Sequence, residues 1–416
     1  TASYNTAVGR NSLAANTTGI RNAAFGTFTL DANTDANDNT GLGYSALSAN
    51  STGDNNTAVG SYALVTNTTA DDNTAVGYSA LLYNTTGTRN TALGALSLDA
   101  NTTASNNTSI GKGAMTDNTT GSDNTAVGLE ALANNTTADN NTAVGYYALG
   151  TNTTGTVNTA VGKGSLDANT TGSYNTGIGN NALGANTTAS YNIGVGGNAL
   201  FANTTGATNT ALGYNALYAN TTASNNVAVG KDALGANTTG TANTAVGPLA
   251  LDANTSADQN TAVGYSSLSA ATTGGANTAI GSQAMAANTT GASNTAVGYL
   301  ALDANTTADH NVAIGRDALT ANTTGQQNTS VGSNSMSVNT TGADNVAVGY
   351  AALDANTTAS NNTAIGRSAL SANTTGASNT AVGFGALVTQ TTASSNTAVG
   401  EYAAQATTGS TNSALG

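Results

Sequence analysis

Apolar and polar residues recur along this chain with a strict period of 17 residues. The consensus unit is Asn-Thr-Ala-Val-Gly-x-x-Ala-Leu-x-Ala-Asn-Thr-Thr-(Gly/Ala)-x-x, and we number its residues as positions 1 to 17. Twenty-four units follow one another from Asn5, and the unit that begins at Asn396 is one residue shorter than the others. A fixed period of this kind indicates a solenoid in which each unit forms one coil.

Two positions of the unit carry the large apolar residues. Position 4 is always Val, Ile, Leu or Phe, and position 9 is Leu or Met in every unit except at Ala404. Position 2 is Thr in most units but Val or Ile in four, so the alternation of a strand places positions 2 and 4 on one inward face. We predict a core of stacked Val and Leu ladders that includes Val8, Leu13, Val76, Leu81, Val144 and Leu149.

These patterns predict an all-β fold, a parallel β-solenoid (β-roll) of about 24 coils with 17 residues per coil. Each coil would have one strand near positions 2 to 4, a turn at the invariant Gly of position 5 that needs positive φ or close backbone approach, and a second strand near positions 8 to 11. We expect one uninterrupted array over residues 1–416, with partial units at 1–4 and 412–416, cut from a longer protein. Alternation of Gly and Ala at position 15 favours a 34-residue unit in which odd and even coils differ.

Positions 3 and 8 never hold a large side chain, and this limit has two explanations. If position 3 faces outward, its small size indicates close packing against identical chains, which would make the chain a homo-oligomer. The other explanation is a thin solenoid whose interior holds little more than one Val and one Leu. We favour the first, because a thin core offsets chain entropy poorly. The proposed inter-chain interface then contains Ala7, Ala58, Ala75, Ala92, Ala126 and Ala143.

The sparse charges argue against several functions. Only 7% of residues are charged and the net charge is −13, which argues against nucleic acid as a partner. No apolar run is long enough to span a membrane, and no catalytic constellation or cofactor motif is present, so we expect neither an enzyme nor a cofactor. Asp residues at position 10 could bind Ca²⁺ between coils, but the calcium β-roll motif is absent and a solvated face explains them better. His310, the only His, is expected to be a solvated loop residue.

The Asn-Thr-Thr sequence at positions 12 to 14 also has two explanations. It is an N-glycosylation sequon, for example at Asn16, Asn67, Asn84 and Asn101. Acceptors on adjacent coils would lie only about 4.8 Å apart, too close for bulky glycans. We therefore favour a ladder of stacked Asn amides and Thr hydroxyls. Thr arrays on flat solenoid faces also bind ice, but two adjacent Thr residues place only one side chain outward per coil.

The unit beginning Asn73-Thr74-Ala75-Val76-Gly77 resembles the repeats of YadA-like trimeric autotransporter adhesin heads and the Asn-Thr-Ala-Ile-Gly arrays of tail-fibre-like proteins. The resemblance covers the entire chain and implies a left-handed parallel β-roll, commonly trimeric, on a cell surface or fibre. The coil length of 17 residues is longer than in those heads. Two functions remain open: the shaft of an extracellular fibre, or an adhesin that binds a host surface or glycan through positions 6, 7 and 10. Residues at positions 6 and 7 change from coil to coil, which favours the shaft.

Overall fold

A computed structural model describes residues 2–405 and 408–416, so Thr1 of the predicted partial unit lies outside the described residues. The fold is a parallel β-solenoid, as predicted, and each coil has one three-residue strand where two strands were expected. No helix occurs among the described residues. The strands begin 17 residues apart up to the last one, so the period of the sequence is the period of the structure.

The chain divides into two units, Thr1–Thr208 and Asn209–Gly416. In each unit, strands that are neighbours in the sequence pair in parallel and in register, as when Thr57, Ala58 and Val59 pair with Thr74, Ala75 and Val76. The first unit contains β1 Thr6–Val8, β2 Ala23–Phe25, β3 Thr40–Leu42, β4 Thr57–Val59, β5 Thr74–Val76, β6 Thr91–Leu93, β7 Thr108–Ile110, β8 Thr125–Val127, β9 Thr142–Val144, β10 Thr159–Val161, β11 Thr176–Ile178 and β12 Ile193–Val195. The second contains β13 Thr210–Leu212, β14 Val227–Val229, β15 Thr244–Val246, β16 Thr261–Val263, β17 Thr278–Ile280, β18 Thr295–Val297, β19 Val312–Ile314, β20 Thr329–Val331, β21 Val346–Val348, β22 Thr363–Ile365, β23 Thr380–Val382, β24 Thr397–Val399 and β25 Ser413–Leu415.

The strands face the opposite way from the prediction. Position 3 points inward: Ala75 and Ala143 are fully buried. Positions 2 and 4 point outward, so Val8 is 57% exposed and Val76 and Val144 are only half-buried. The predicted Val ladder is therefore not part of the core. The Leu ladder is buried as predicted at Leu81 and Leu149, whereas Leu13, in the first coil, is half-buried.

Packing between coils inside the solenoid explains the small residues at positions 3 and 8. The side chain at position 8 of one coil contacts position 3 of the next, as when Ser97 Oγ lies 2.7 Å from Ser109 Oγ. The predicted inter-chain interface at position 3 is thus wrong. Of its residues, Ala58, Ala75, Ala92, Ala126 and Ala143 are fully buried within their own chain, and Ala7 is exposed in the first coil, which has a neighbour on one side only.

Within residues 2–405 and 408–416, the rest of each coil consists of turns and bends, and no second strand occurs at positions 8 to 11, where one was predicted. Leu81 and Leu149 have φ of 53° and 51°, which breaks an extended chain at position 9. Position 7 also has positive φ, for example 55° at Tyr147. Each such non-glycine residue costs about 1–2 kcal/mol in isolation, so coil stacking must hold it in place. Backbone hydrogen bonds between coils do so, as from Leu64 N–H to Ala80 O at 3.0 Å.

Glycine at position 5 meets both of the requirements that were expected of it. Gly145 has φ of 140°, and a Cβ atom built on it would lie 2.6 Å from the carbonyl oxygen of Gly162 in the next coil. Any side chain would therefore strain the backbone and separate the coils.

The alternation at position 15 accompanies a change in the turn before it in some coils. In the coil that contains Gly121, the N–H groups of Thr119 and Thr120 both donate to Thr136 O, at 2.9 and 3.3 Å. In the following coil, which contains Ala138, Thr136 N–H donates to Thr153 O at 3.2 Å. The coil that contains Ala257 nevertheless has both bonds, from Thr255 N–H and Ser256 N–H to Thr272 O at 3.3 and 3.4 Å, so this difference between odd and even coils is not general.

Candidate interaction surfaces

The Asn side chains of position 12 form a buried hydrogen-bonded ladder. Asn84 Nδ2 donates to Asn67 Oδ1 at 2.8 Å and to Gly87 O at 2.9 Å, while Asn84 Oδ1 accepts from Asn101 Nδ2 at 2.8 Å. Both amide hydrogens and the amide oxygen therefore have partners. The preferred interpretation of Asn-Thr-Thr as a ladder is confirmed, and the Thr of position 13 extends it, as from Thr85 Oγ1 to Thr102 O at 2.9 Å.

The same geometry argues against these Asn residues as glycosylation sites of the folded chain. A glycan is attached at Nδ2, and in Asn67, Asn84 and Asn101 the side chain is fully buried with that nitrogen in hydrogen bonds. Asn16 in the first coil is half-buried, and its Nδ2 donates to Gly19 O at 3.1 Å. The predicted acceptor sites are thus structural groups.

A second Asn file, at position 1, closes each coil. Asn73 Nδ2 donates to Gly87 O at 2.9 Å, the same carbonyl oxygen that accepts from Asn84. Its backbone N–H donates to Asn56 Oδ1 at 3.0 Å, and its own Oδ1 accepts from Asn90 N–H at 3.0 Å. Sequence reasoning missed this role, although the signal was present: position 1 is Asn in all 24 units. Asp could not donate to the carbonyl group, so an amide is required.

Positions 2 and 4 form an outward strand face, which we call the Thr/Val face. Its position 4 file is apolar and partly exposed: Leu93 is 46% exposed and Ile280 is 40% exposed. Its position 2 file is mainly Thr, and neither file contains a charged residue in any unit. Each of the two large units, Thr1–Thr208 and Asn209–Gly416, therefore carries one stripe of apolar side chains beside a stripe of hydroxyl groups. Exposed apolar surface of this extent is typical of interaction sites.

Aromatic rings lie at positions 6 and 7, at the edge of the coils. Phe28, Tyr44, Tyr62 and Tyr78 occupy four consecutive coils, and the centroids of neighbouring rings are 6.1, 5.3 and 6.3 Å apart. The structure thus brings together rings that alternate between two sequence positions. A patch on consecutive coils, which the sequence analysis did not find, is therefore present at this edge.

The carboxylates of position 10 are more buried than a solvated face requires. Burial raises the pKa of Asp99, Asp167, Asp252, Asp303 and Asp354 above its usual range. Asp99 Oδ1 also accepts a hydrogen bond from Thr116 Oγ1 at 2.7 Å, which opposes this shift. These residues lie in separate, non-adjacent coils, and no group of three or more metal-binding side chains occurs in the described part of the chain. His310 is exposed, as expected.

The fold and its surfaces define a class of protein, the β-solenoid repeat proteins with internal Asn ladders. Comparison with protein-family models and with curated proteins gives no match. Among the described residues, no helix is long and apolar enough to cross a membrane.

Proposed function

We propose that this chain is a non-catalytic structural repeat segment, the shaft of an extracellular or cell-surface fibre, and that it associates laterally with identical chains through the Thr/Val face. The observation that carries this proposal is position 4: a large apolar residue is present in every unit, yet it points away from the core. The resemblance to trimeric autotransporter heads supports a trimer.

In the single chain, part of the apolar surface of position 4 stays in water. Full burial of a Val or Leu side chain stabilises by about 1.5–3 kcal/mol. Residues such as Leu93 and Ile280 are still 46% and 40% exposed. Covering the rest would add roughly 1 kcal/mol per coil. Repeated over many coils, this sum exceeds the entropic cost of association, which is about 4–15 kcal/mol.

An identical chain is the partner that fits this face best. A partner must present matching groups at the rise of the coils, about 4.8 Å, over many repeats, and a second copy of the chain has this period. The absence of charge at positions 2 and 4 also lets chains of net charge −13 approach one another at this face. Two sheet faces of small and β-branched side chains pack about 10 Å apart.

The test compares two variants with four Asp substitutions in the same coils. The first places Asp at position 4, in Val127, Val144, Val161 and Ile178; the second places Asp at position 14, in Thr137, Thr154, Thr171 and Thr188, which are exposed. Asp35 occurs naturally at position 14, so the second variant is a matched control for charge. In sedimentation velocity, the wild type and the control should be oligomers and the first variant should dissociate. A monomeric wild type, or equal dissociation of both variants, would reject the proposal.

The Thr/Val face also favours a second candidate, ice binding. The adjacent Thr residues of positions 13 and 14 predict one outward side chain per coil, whereas Thr of position 2 and Val of position 4 lie in two outward files in the structure. An uncharged array of hydroxyl and methyl groups in register from coil to coil is suited to a regular surface such as ice. This function requires the face to be uncovered. Thermal hysteresis from a monomeric wild type would support it, and an oligomer without hysteresis would exclude it.

A further inference from the structure

The aromatic ridge, which we define as Phe28, Tyr44, Tyr62 and Tyr78, is a different surface from the Thr/Val face. Successive rings meet nearly edge to face, with interplanar angles of 89°, 77° and 87°. Tyr44 is 44% exposed and Tyr78 is 57% exposed. The ridge continues toward the start of the chain to Arg10, whose guanidinium carbon lies 5.7 Å from the centre of the Phe28 ring. Ring contacts of this kind stabilise by about 0.5–1.5 kcal/mol each, so they order the ridge. All three Tyr residues stay partly exposed.

Every coil of the ridge pairs its aromatic residue with a small hydroxyl residue. Positions 6 and 7 read Thr27-Phe28, Tyr44-Ser45, Ser61-Tyr62 and Tyr78-Ser79, so ring and hydroxyl exchange places from coil to coil. Within the described part of the chain, the hydroxyl groups of Thr27, Ser45, Ser61 and Ser79 make no hydrogen bond to another protein group. Ser45 and Ser79 are buried, so the hydroxyl groups that a ligand can reach are those of Thr27 and Ser61, beside Phe28 and Tyr62. Exposed aromatic rings with these hydroxyl groups beside them match the surface of a sugar, which has apolar C–H faces and a rim of hydroxyls.

We propose that the aromatic ridge binds a neutral polysaccharide as a single chain that runs along the coil axis. A repeating ligand is needed because an aromatic ring recurs at each of the four coils, with neighbouring ring centroids 6.1, 5.3 and 6.3 Å apart. A neutral ligand is favoured because none of the four ridge coils has a charged residue at position 6 or 7. A single chain fits better than a crystalline surface because neighbouring rings are nearly perpendicular and do not form a flat platform. The proposal does not depend on lateral association of the chain.

The chain offers a matched control for this site. Tyr44 and Tyr78 both occupy position 6 and lie two coils apart, with Tyr62 between them. Tyr265 and Tyr299 also occupy position 6 two coils apart, and they are 53% and 48% exposed, but the coil between them carries Ser282 and Gln283. The two pairs thus share position, spacing and exposure, and they differ in the continuity of the ridge.

Affinity electrophoresis in gels that contain soluble mixed-linkage β-glucan tests the proposal. The wild type should be retarded, Tyr44→Ala/Tyr78→Ala should lose affinity by about tenfold or more, and Tyr265→Ala/Tyr299→Ala should behave as the wild type. Tyr44→Phe/Tyr78→Phe keeps the rings and should retain most of the affinity, which separates loss of stacking from loss of folding. No retardation of the wild type would overturn the proposal. Equal losses in the two Ala variants, or retention by microcrystalline cellulose without affinity for the soluble glucan, would also overturn it.

Discussion

The methyl group of Thr29 occupies the space that a side chain on Gly41 would need. A Cβ atom on Gly41 would lie 2.5 Å from Thr29 Cγ2. Thr29 is at position 8 of its coil and Gly41 is at position 3 of the next, and most coils have Ala at both positions. Ser165 and Gly177 repeat the relationship, with 2.6 Å between Ser165 Oγ and the Cβ position of Gly177. In these two pairs of coils, a larger residue at position 8 is accommodated by Gly at position 3 of the next coil.

This relationship predicts a compensating pair of substitutions. Gly41→Ala should destabilise the first unit by about 1–3 kcal/mol, because the new methyl group overpacks the space beside Thr29. Thr29→Ala alone should cost about 1 kcal/mol, since it removes the hydrogen bond from Thr29 Oγ1 to Gly43 O at 2.6 Å. The double variant restores the common Ala pair and should be more stable than Gly41→Ala alone. Urea unfolding of the four proteins measures this coupling, and additive losses would contradict it.

The period and one of the two apolar ladders could be predicted from the sequence, but the facing of the strand could not. Val227 and Ile193 at position 2 suggested an inward face, because apolar residues usually mark the interior. The limit on side-chain size at position 3 was the better indicator of the inward face. In a thin, close-packed interior, the volume of a side chain is restricted more strictly than its polarity. Outward Val residues are uninformative alone, since much of a folded surface is apolar.

The conformation of the turns could not be predicted, for a different reason. Leu81 and Tyr147 adopt positive φ without being Gly or Asn, the residues that usually mark such turns. These conformations are held by hydrogen bonds between stacked coils, and no residue type in the local sequence indicates them. The Asn ladder of position 12 was predictable because both donor and acceptor lie in one repeated side chain. For the closing bond from Asn73 to Gly87, the invariant Asn of position 1 was the signal, but its acceptor is a backbone carbonyl group, which the sequence does not mark.

Because position 3 points inward and position 4 points outward, substitutions at two adjacent residues should differ in their effect on stability. Ala143→Leu adds volume to a fully buried site and should destabilise the neighbouring coils by about 1–3 kcal/mol or more. Val144→Thr changes the outward face and should alter the stability of an isolated chain by only about 0.5 kcal/mol. Hydrogen exchange measured by mass spectrometry on peptides from residues 141–174 would show faster exchange in the first variant only. Equal exchange in both would contradict the inward assignment of position 3.

The Asn ladder predicts one substitution that weakens the fold and another that strengthens it. Asn84→Ala removes three hydrogen bonds and leaves partners in Asn67 and Asn101 unsatisfied, at a cost of about 2–4 kcal/mol. Ala271 interrupts the ladder at position 12 between Asn254 and Asn288, and it is fully buried. Ala271→Asn should join the two segments and stabilise the second unit by about 1 kcal/mol. Thermal unfolding checks both directions, and a lower midpoint for Ala271→Asn would count against the ladder as a source of stability.

The half-buried carboxylates of position 10 predict a stability that falls as the pH rises. Burial raises the pKa of Asp252, Asp303 and Asp354 in the folded state, so between the ordinary value of 3.8 and the raised value the folded chain binds more protons than the unfolded chain. Stability therefore decreases from the ordinary pKa upward through the folded pKa, and it stays lower at neutral pH. The triple variant Asp252→Asn/Asp303→Asn/Asp354→Asn should have a higher melting temperature than the wild type at pH 7 and a weaker dependence on pH. Asp344→Asn, at an exposed position of the same unit, is the control and should change neither quantity. If the melting temperature of the triple variant depended on pH as that of the wild type does, burial of these carboxylates would not explain the pH dependence of stability.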